Sequence, residues 1–257
     1  MDIAITRDVA RSIEHCELTH IARVPIVYAR AVAQHRAYCD ALEALGLEVI
    51  RLPTDEACPD CCFVEDTAIV LDEVAVITAL GAPTRRAETP AIEAALARYR
   101  RLERIALPAT LDGGDVLQLG RTLFVGRTLR TNDAGIAALG AIVAPHGYDV
   151  VAVEVTGCLH LKSAVTALDD ETILANASWF DATSLARFRR VDVAREEPGA
   201  ANVLRVRDQM WAHPGFPRTL ERLERAGYRV TPMDISEFVK AEAALTCKSL
   251  LFRRSNG

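Results

Sequence analysis

Cys247, in Leu245-Thr246-Cys247-Lys248-Ser249-Leu250-Leu251, is followed by a lysine and then by an apolar run. A neighbouring cation favours the thiolate, which is the nucleophilic form, and the apolar run predicts a short strand with the thiol at its mouth. A free cysteine serves equally well as a buried apolar filler, so the decision rests on residues upstream. His160 lies between leucines, at strand spacing, in Leu159-His160-Leu161-Lys162-Ser163. Asp60, Glu65 and Asp66 stand beside an apolar segment, where carboxylates are costly unless a cation pairs with them. That cation is either a structural arginine or a ligand. Asp112 and Asp115 flank Gly113-Gly114, where the backbone can approach a neighbour closely. Arg85 and Arg130 stand at predicted helix entrances and suit recognition of a carboxylate. Together these residues describe a site for a cationic amino acid. Acids would hold a guanidinium, arginines a carboxylate, and a cysteine with a histidine would do the chemistry.

The elements that must bring these segments together repeat along the chain. Helices are predicted over 28–45, 134–145 and 218–225, each followed by a glycine (Gly46, Gly147, Gly227) and then by a strand. Glycine in that position is the expected left-handed helix cap. A fourth helix is predicted over 86–99 without such a glycine, and a weaker fifth over 184–188. Between the helices lie strand pairs, 67–71 with 74–80, 115–119 with 122–125, 165–168 with 172–177 and 202–206 with 209–212. They are rich in β-branched residues and joined by turn formers. The order strand, strand, helix, strand recurs five times with a period of about 50 residues, which signals radial repetition. A doubly wound sheet would alternate single strands with helices. The expected fold is a five-bladed, pseudo-symmetric α/β propeller of ββαβ repeats. All 257 residues form one catalytic domain, and the first and last strands share a blade.

Half of the 257 residues are apolar, a quarter are charged, and the net charge is −5. The acidic balance gives no electrostatic case for nucleic acid or an anionic membrane, and no apolar run is long enough to span one. Seven cysteines, an odd number, occur in a chain that opens MDIAITRDVA without a basic-then-apolar leader. The expectation is a reduced, cytoplasmic setting without structural disulfides. The sequence is compatible with a homodimer and does not settle the point.

Seven segments then carry a resemblance: DCCFVEDTAIV (60–70), GAPTRR (81–86), TLDGGDVL (110–117), FVGRTLRTN (124–132), LHLKS (159–163), AANV (200–203) and LTCKS (245–249). In this order the chain resembles the dimethylarginine dimethylaminohydrolases of the guanidino-group-modifying (pentein) superfamily, over essentially its whole length. The superfamily's five-bladed α/β propeller agrees with the repeat count. The resemblance implies hydrolysis of Nω-methylated arginine to citrulline and methylamine or dimethylamine, through a covalent thiouronium intermediate. It implies no metal and no organic cofactor. Cys247 matches the nucleophile, His160 the general acid and base, and Asp112 the acid that orients the histidine. Glu65 and Asp66 match the acidic pair at the guanidinium end, with Asp66 in direct contact. Asp60 matches the acid near the α-amino group, and Arg85 and Arg130 match the α-carboxylate clamps. Leu18 matches a mobile lid, and Ala241 falls where the family offers a backbone carbonyl. There the sequence departs, because Lys240-Ala241-Glu242-Ala243-Ala244 replaces a more glycine-rich stretch.

Two other readings stand beside this one. Arginine deiminases use the same kind of cysteine and histidine but carry an aspartate two positions after the histidine, where this chain has Lys162. They also carry a helical insertion that makes them much longer. Both differences favour methylated arginine and leave another N-substituted arginine open. Outside enzymes, Cys58-x-x-Cys61 has the spacing of half a zinc site, but no second half of the form C-x-x-C or H-x-x-x-H follows.

Overall fold

Short β-branched runs separated by two- to four-residue turns fold as hairpins, and each hairpin recruits a third strand after a helical crossover. The computed structural model describes residues 2–254. Its strands are β1 (Asp2–Arg7), β2 (Glu48–Leu52), β3 (Ala68–Val70), β4 (Val74–Ile77), β5 (Arg101–Arg104), β6 (Val116–Leu119), β7 (Thr122–Arg127) and β8 (Asp149–Glu154). They continue with β9 (Val165–Ala167), β10 (Thr172–Ala175), β11 (Arg189–Asp192), β12 (Leu204–Val206), β13 (Gln209–Ala212), β14 (Thr231–Pro232) and β15 (Leu250–Arg253). Five three-stranded sheets result, ordered β15-β1-β2, β3-β4-β5, β6-β7-β8, β9-β10-β11 and β12-β13-β14. In each, the middle strand pairs antiparallel with one neighbour and parallel with the other. The predicted five-bladed propeller is present. β15 completes the blade of β1, with Ile3 opposite Phe252, so the ring closes as expected.

The helices are α1 (Tyr28–Ala44), α2 (Thr89–Leu96), α3 (Asp133–Val143), α4 (Leu161–Ala164), α5 (Pro217–Arg225) and α6 (Ser236–Val239). The longer ones cement adjoining blades. Leu42 of α1 packs with Leu47, Leu204 and Trp211, which joins the first blade to the last. Ile92 and Leu96 of α2 meet Ile3, Ile5 and Ile77. Leu139 and Val143 of α3 meet Val76 and Val125. Each such side chain contributes about 1.5–3 kcal/mol when fully buried. The three predicted glycine caps all have left-handed backbones, with φ of +79° at Gly46, +77° at Gly147 and +91° at Gly227.

Three elements differ from expectation for local reasons. Pro90 lies in the first turn of α2, where its missing N–H costs nothing. The helix therefore starts at Thr89, and residues Pro83–Glu88 form a tighter 3-10 turn. The weak fifth helix is a single 3-10 turn, Ala182–Leu185, capped by the Asp181 side chain. The strand predicted after Gly227 shortens to Thr231–Pro232, since Pro232 cannot donate onward in a ladder. Among the described residues no helix is long and apolar enough to cross a membrane, and all seven cysteines are free.

Candidate active site

The axis-facing loops of different blades bring Asp60, Asp66, Arg85, Arg130, His160, Ala241 and Cys247 to the wall of one pocket. Those residues span nearly the whole sequence, as radial repetition requires. The free volume is about 20 Å³, on the scale of one water. A larger apolar cavity of about 240 Å³ adjoins it through Leu159, Glu242 and Ala243, but that space lacks both Cys247 and His160. The chemistry belongs to the smaller one.

Cys247 stands in a 3-10 turn, Thr246–Lys248, just before β15. Its thiol accepts the Ala244 N–H at 3.4 Å. Burial pushes the thiol up to about 12, helped by the charges of Glu65 and Asp66. The expected help from Lys248 is slight, since its charge couples to Cys247 less than to Cys62 and Cys39. That side chain is fully buried on another side of the chain, 3.2 Å from the Phe238 ring centroid and 3.1 Å from His35 Nδ1. Burial there draws Lys248 down to about 8.

His160 immediately precedes the single turn of α4 and so departs from the strand setting its spacing suggested. Nε2 lies 3.1 Å from Asp112 Oδ2, and Nδ1 lies 3.7 Å from Asp66 Oδ1. Burial alone would lower the imidazole, but Asp66, Asp115 and Asp112 outweigh it and hold His160 at about 9. It is therefore an imidazolium at neutral pH, a form suited to donating a proton. Asp112 is fully buried, and its other oxygen accepts the Gly81 N–H at 2.8 Å. The glycine pair earns its place by close approach. A Cβ on Gly113 would sit 2.0 Å from the Glu65 carbonyl, and one on Gly114 would sit 2.5 Å from His160 Nδ1.

Asp66 is ionised despite complete burial. The desolvation penalty is overcome by His160, Arg85 and the Gly114 N–H, which bring it to about 2. Its neighbour Glu65 does not line the pocket. Glu65 Oε1 takes Lys162 Nζ at 2.5 Å and Oε2 takes Thr246 Oγ1 at 2.8 Å. Both Glu65 and Lys162 border a separate cavity along the inner strands β3, β6, β12 and β15. Glu65 thus acts on Cys247 through its field and through the turn it anchors.

The two arginines are not alike. Arg85 donates Nη1 to Asp66 Oδ2 at 2.7 Å, Nη2 to the Phe63 carbonyl at 3.1 Å, and Nε with Nη2 to both oxygens of Glu88 at 3.0 and 2.9 Å. Among the described residues Arg130 donates Nη2 only to Thr19 Oγ1, at 3.3 Å, and its buried Nη1 has no partner. Asp60, raised by burial against the pull of Arg85, accepts the Glu17 N–H at 3.1 Å.

Over the pocket runs an irregular segment that includes Leu18, which is partly buried against the core. The next two N–H groups, Thr19 and His20, donate to the Glu242 carboxylate at 2.6 and 3.0 Å. Glu242 has a left-handed backbone, φ +57°. Ala241, beside it, is buried in the pocket wall. Sequence reasoning missed Glu88 and Glu242. The first could have been found three residues after Arg85, within reach on one helical turn. The second lies in the stretch where the sequence departs from a glycine-rich pattern.

Among the described residues the one triple of metal-capable groups is Asp66, Asp112 and His160. The imidazolium proton already serves that cluster. Cys58 and Cys61 are buried with Ala10 and meet no third ligand there, so the zinc half-motif is not completed.

A cysteine, a protonated histidine and a buried carboxylate converging from three separate loops define an enzyme class that works on guanidinium carbon. Residues 56–209 match the arginine deiminase family model. The chain is 43% identical over 237 residues to the N(G),N(G)-dimethylarginine dimethylaminohydrolase of Streptomyces coelicolor, covering 92% of this chain and 91% of that one. It is 35% identical to the enzyme of the same name from Pseudomonas aeruginosa, covering 96% and 98%. A solved structure of the Pseudomonas protein, a Cys-to-Ser mutant complexed with citrulline, superposes with a TM-score of 0.92 over 97% of this chain and 98% of that one, at 34% identity. The chain belongs to the dimethylarginine dimethylaminohydrolase family.

Proposed function

We propose that this protein hydrolyses Nω-methylated arginine to citrulline, releasing methylamine or dimethylamine. The observation that carries this reading is the presence of Cys247, an imidazolium, His160, and an ionised Asp66 on the wall of one pocket. A delocalised guanidinium is a poor electrophile, so a sulfur nucleophile suits it better than a hydroxyl. In the free protein the Cys247 thiol is neutral. A cationic guanidinium held by Asp66 stabilises the thiolate beside it, and the thiol proton leaves to solvent. Sγ then forms the C–S bond. His160 gives its proton to the departing amine as the C–N bond breaks, leaving a thiouronium. Neutral His160 next takes a proton from water, the oxygen adds to the same carbon, and C–S cleavage returns the thiolate and citrulline as the remaining hydroxyl proton passes to solvent.

Asp112 keeps the imidazole turned toward the reacting atoms. Arg130, with its unpartnered Nη1, binds the α-carboxylate together with the remaining N–H of Arg85. Asp60 faces the α-amino group, Ala241 offers its carbonyl, and Leu18 moves with the lid. The whole chain, 1–257, acts as one catalytic unit. No metal or organic cofactor takes part, and the seven unpaired thiols suit a reducing cytoplasm.

The test is citrulline release with asymmetric dimethylarginine, monomethylarginine and arginine side by side. Cys247→Ser should bind ligand, fold normally and produce no citrulline. Turnover by a well-folded Cys247→Ser protein would remove Cys247 from the mechanism.

A further inference from the structure

Asp115, the second acid of the Asp112-Gly113-Gly114-Asp115 stretch, touches no reacting group in the chemistry just described, although its charge helps to hold the His160 proton, and it is fully buried. Its Oδ1 accepts the N–H of Leu161, the residue that follows His160, at 2.9 Å. Its Oδ2 accepts two hydroxyls, Thr128 Oγ1 and Thr131 Oγ1, each at 2.7 Å. Because both hydroxyl protons point at Asp115, both oxygens are left to receive backbone N–H groups. Thr128 Oγ1 receives the N–H of Arg130 at 3.1 Å and of Thr131 at 3.2 Å. Thr131 Oγ1 receives the N–H of Asp112 at 3.1 Å. Gly126 keeps this corner open, since a Cβ there would sit 2.8 Å from Asp115 Oδ1.

We infer that Asp115 is a positioning residue that locks the catalytic histidine loop, its orienting acid and the carboxylate-clamp arginine into one register. One carboxylate thus fixes the backbone at His160, Asp112 and Arg130, which lie in separate loops. An acceptor-only group is required. Three donors converge on Asp115, and an asparagine offers a single oxygen while adding two donors of its own. The isosteric change Asp115→Asn must therefore leave donors unpaired without altering shape. The two threonines divide the function, with Thr128 serving Arg130 and Thr131 serving Asp112 and hence His160.

The inference rests on the proposed reaction, and the experiment separates the two. Steady-state kinetics are measured with asymmetric dimethylarginine and with its decarboxylated analogue. For Asp115→Asn we expect KM for the amino acid to rise and kcat to fall, each by about tenfold, the scale of one unpaired buried group. With the analogue only kcat should fall, because there is no carboxylate for Arg130 to hold. Thr128→Val should move KM for the amino acid, and Thr128→Ser should restore it. Thr131→Val should move kcat. Citrulline affinity, measured calorimetrically, reads the clamp without turnover and should weaken in Asp115→Asn and Thr128→Val alone. Thr128→Val and Thr131→Val also cover the case in which Asp115→Asn fails to fold. If Asp115 were only a scaffold residue, the active fraction would drop equally for both substrates with KM and citrulline affinity unmoved, and the inference would be overturned. If the wild type prefers arginine, the proposed substrate is wrong, and the same ratios are read with arginine and agmatine.

Discussion

Lys162 and Glu65 form a partly buried ion pair, Nζ to Oε1 at 2.5 Å, just behind the turn that carries Cys247. The position that would carry an aspartate in an arginine deiminase thus holds a lysine already neutralised by its own partner. No free acceptor is left there for an unsubstituted guanidinium nitrogen. Methyl groups destroy such donors, and a buried acid left unpaired costs about 1–3 kcal/mol. Without that acid, kcat/KM for asymmetric dimethylarginine should exceed that for arginine by at least about tenfold. Equal or better turnover of arginine under matched conditions would make this a compact deiminase.

The titration of the site sets a second expectation. With the thiol near 12 and His160 near 9, the free protein holds a thiol and an imidazolium at pH 7. Alkylation of Cys247 by a neutral reagent should be slow there and rise steadily through pH 9 with no plateau. His160 is raised, so its proton is present below about 9 and lost above it, and kcat/KM should fall as pH passes that value. A plateau in alkylation near pH 6–7 would instead reveal a preformed thiolate–imidazolium pair.

Replacing the two arginines should give different phenotypes. Arg130→Ala should raise KM for the amino acid with little change in melting temperature, because only Thr19 loses a partner. Arg85→Ala should also destabilise the fold, by about 3–5 kcal/mol, since it strands Asp66 and Glu88 as buried charges. Thermal melting and KM measured together decide this. Equal losses of stability would mean that Arg130 is structural as well.

Lys248 invites a counter-intuitive test. Although adjacent to Cys247, its ammonium faces Phe238, Tyr38 and His35. Lys248→Met should leave the pH dependence of Cys247 alkylation unchanged. It should hold or raise the melting temperature, as replacement of a buried charge by an apolar side chain often does. A shift in the alkylation profile would restore Lys248 to the site.

Much of this was readable from the sequence because it is local. Glycine caps, hairpin turns and β-branched runs act over a few residues, and five copies of one pattern imply a ring. The glycine pair before Asp115 announced close backbone approach, and the His160 ring sits against it. What escaped were partners set by distant segments. The direction of Lys248 depends on His35, Tyr38 and Phe238, which only the closed ring brings together. Glu65 looks like a twin of Asp66, yet Lys162 draws its carboxylate away from the pocket. Neighbours in sequence were not neighbours in role.

Glu242 turns the segment over the pocket into a compromise. A left-handed backbone costs a side-chain-bearing residue about 1–2 kcal/mol, and here the side chain repays it by gripping Thr19 and His20. Glycine would relieve the strain and release the lid in the same stroke. Glu242→Gly should therefore yield a protein that melts at nearly the same temperature, since the relieved strain and the lost grip offset one another, but that admits and releases ligand faster. The segment over the pocket is tied down by a residue whose backbone strain and carboxylate grip offset one another, so durability and access are set against each other at a single φ angle.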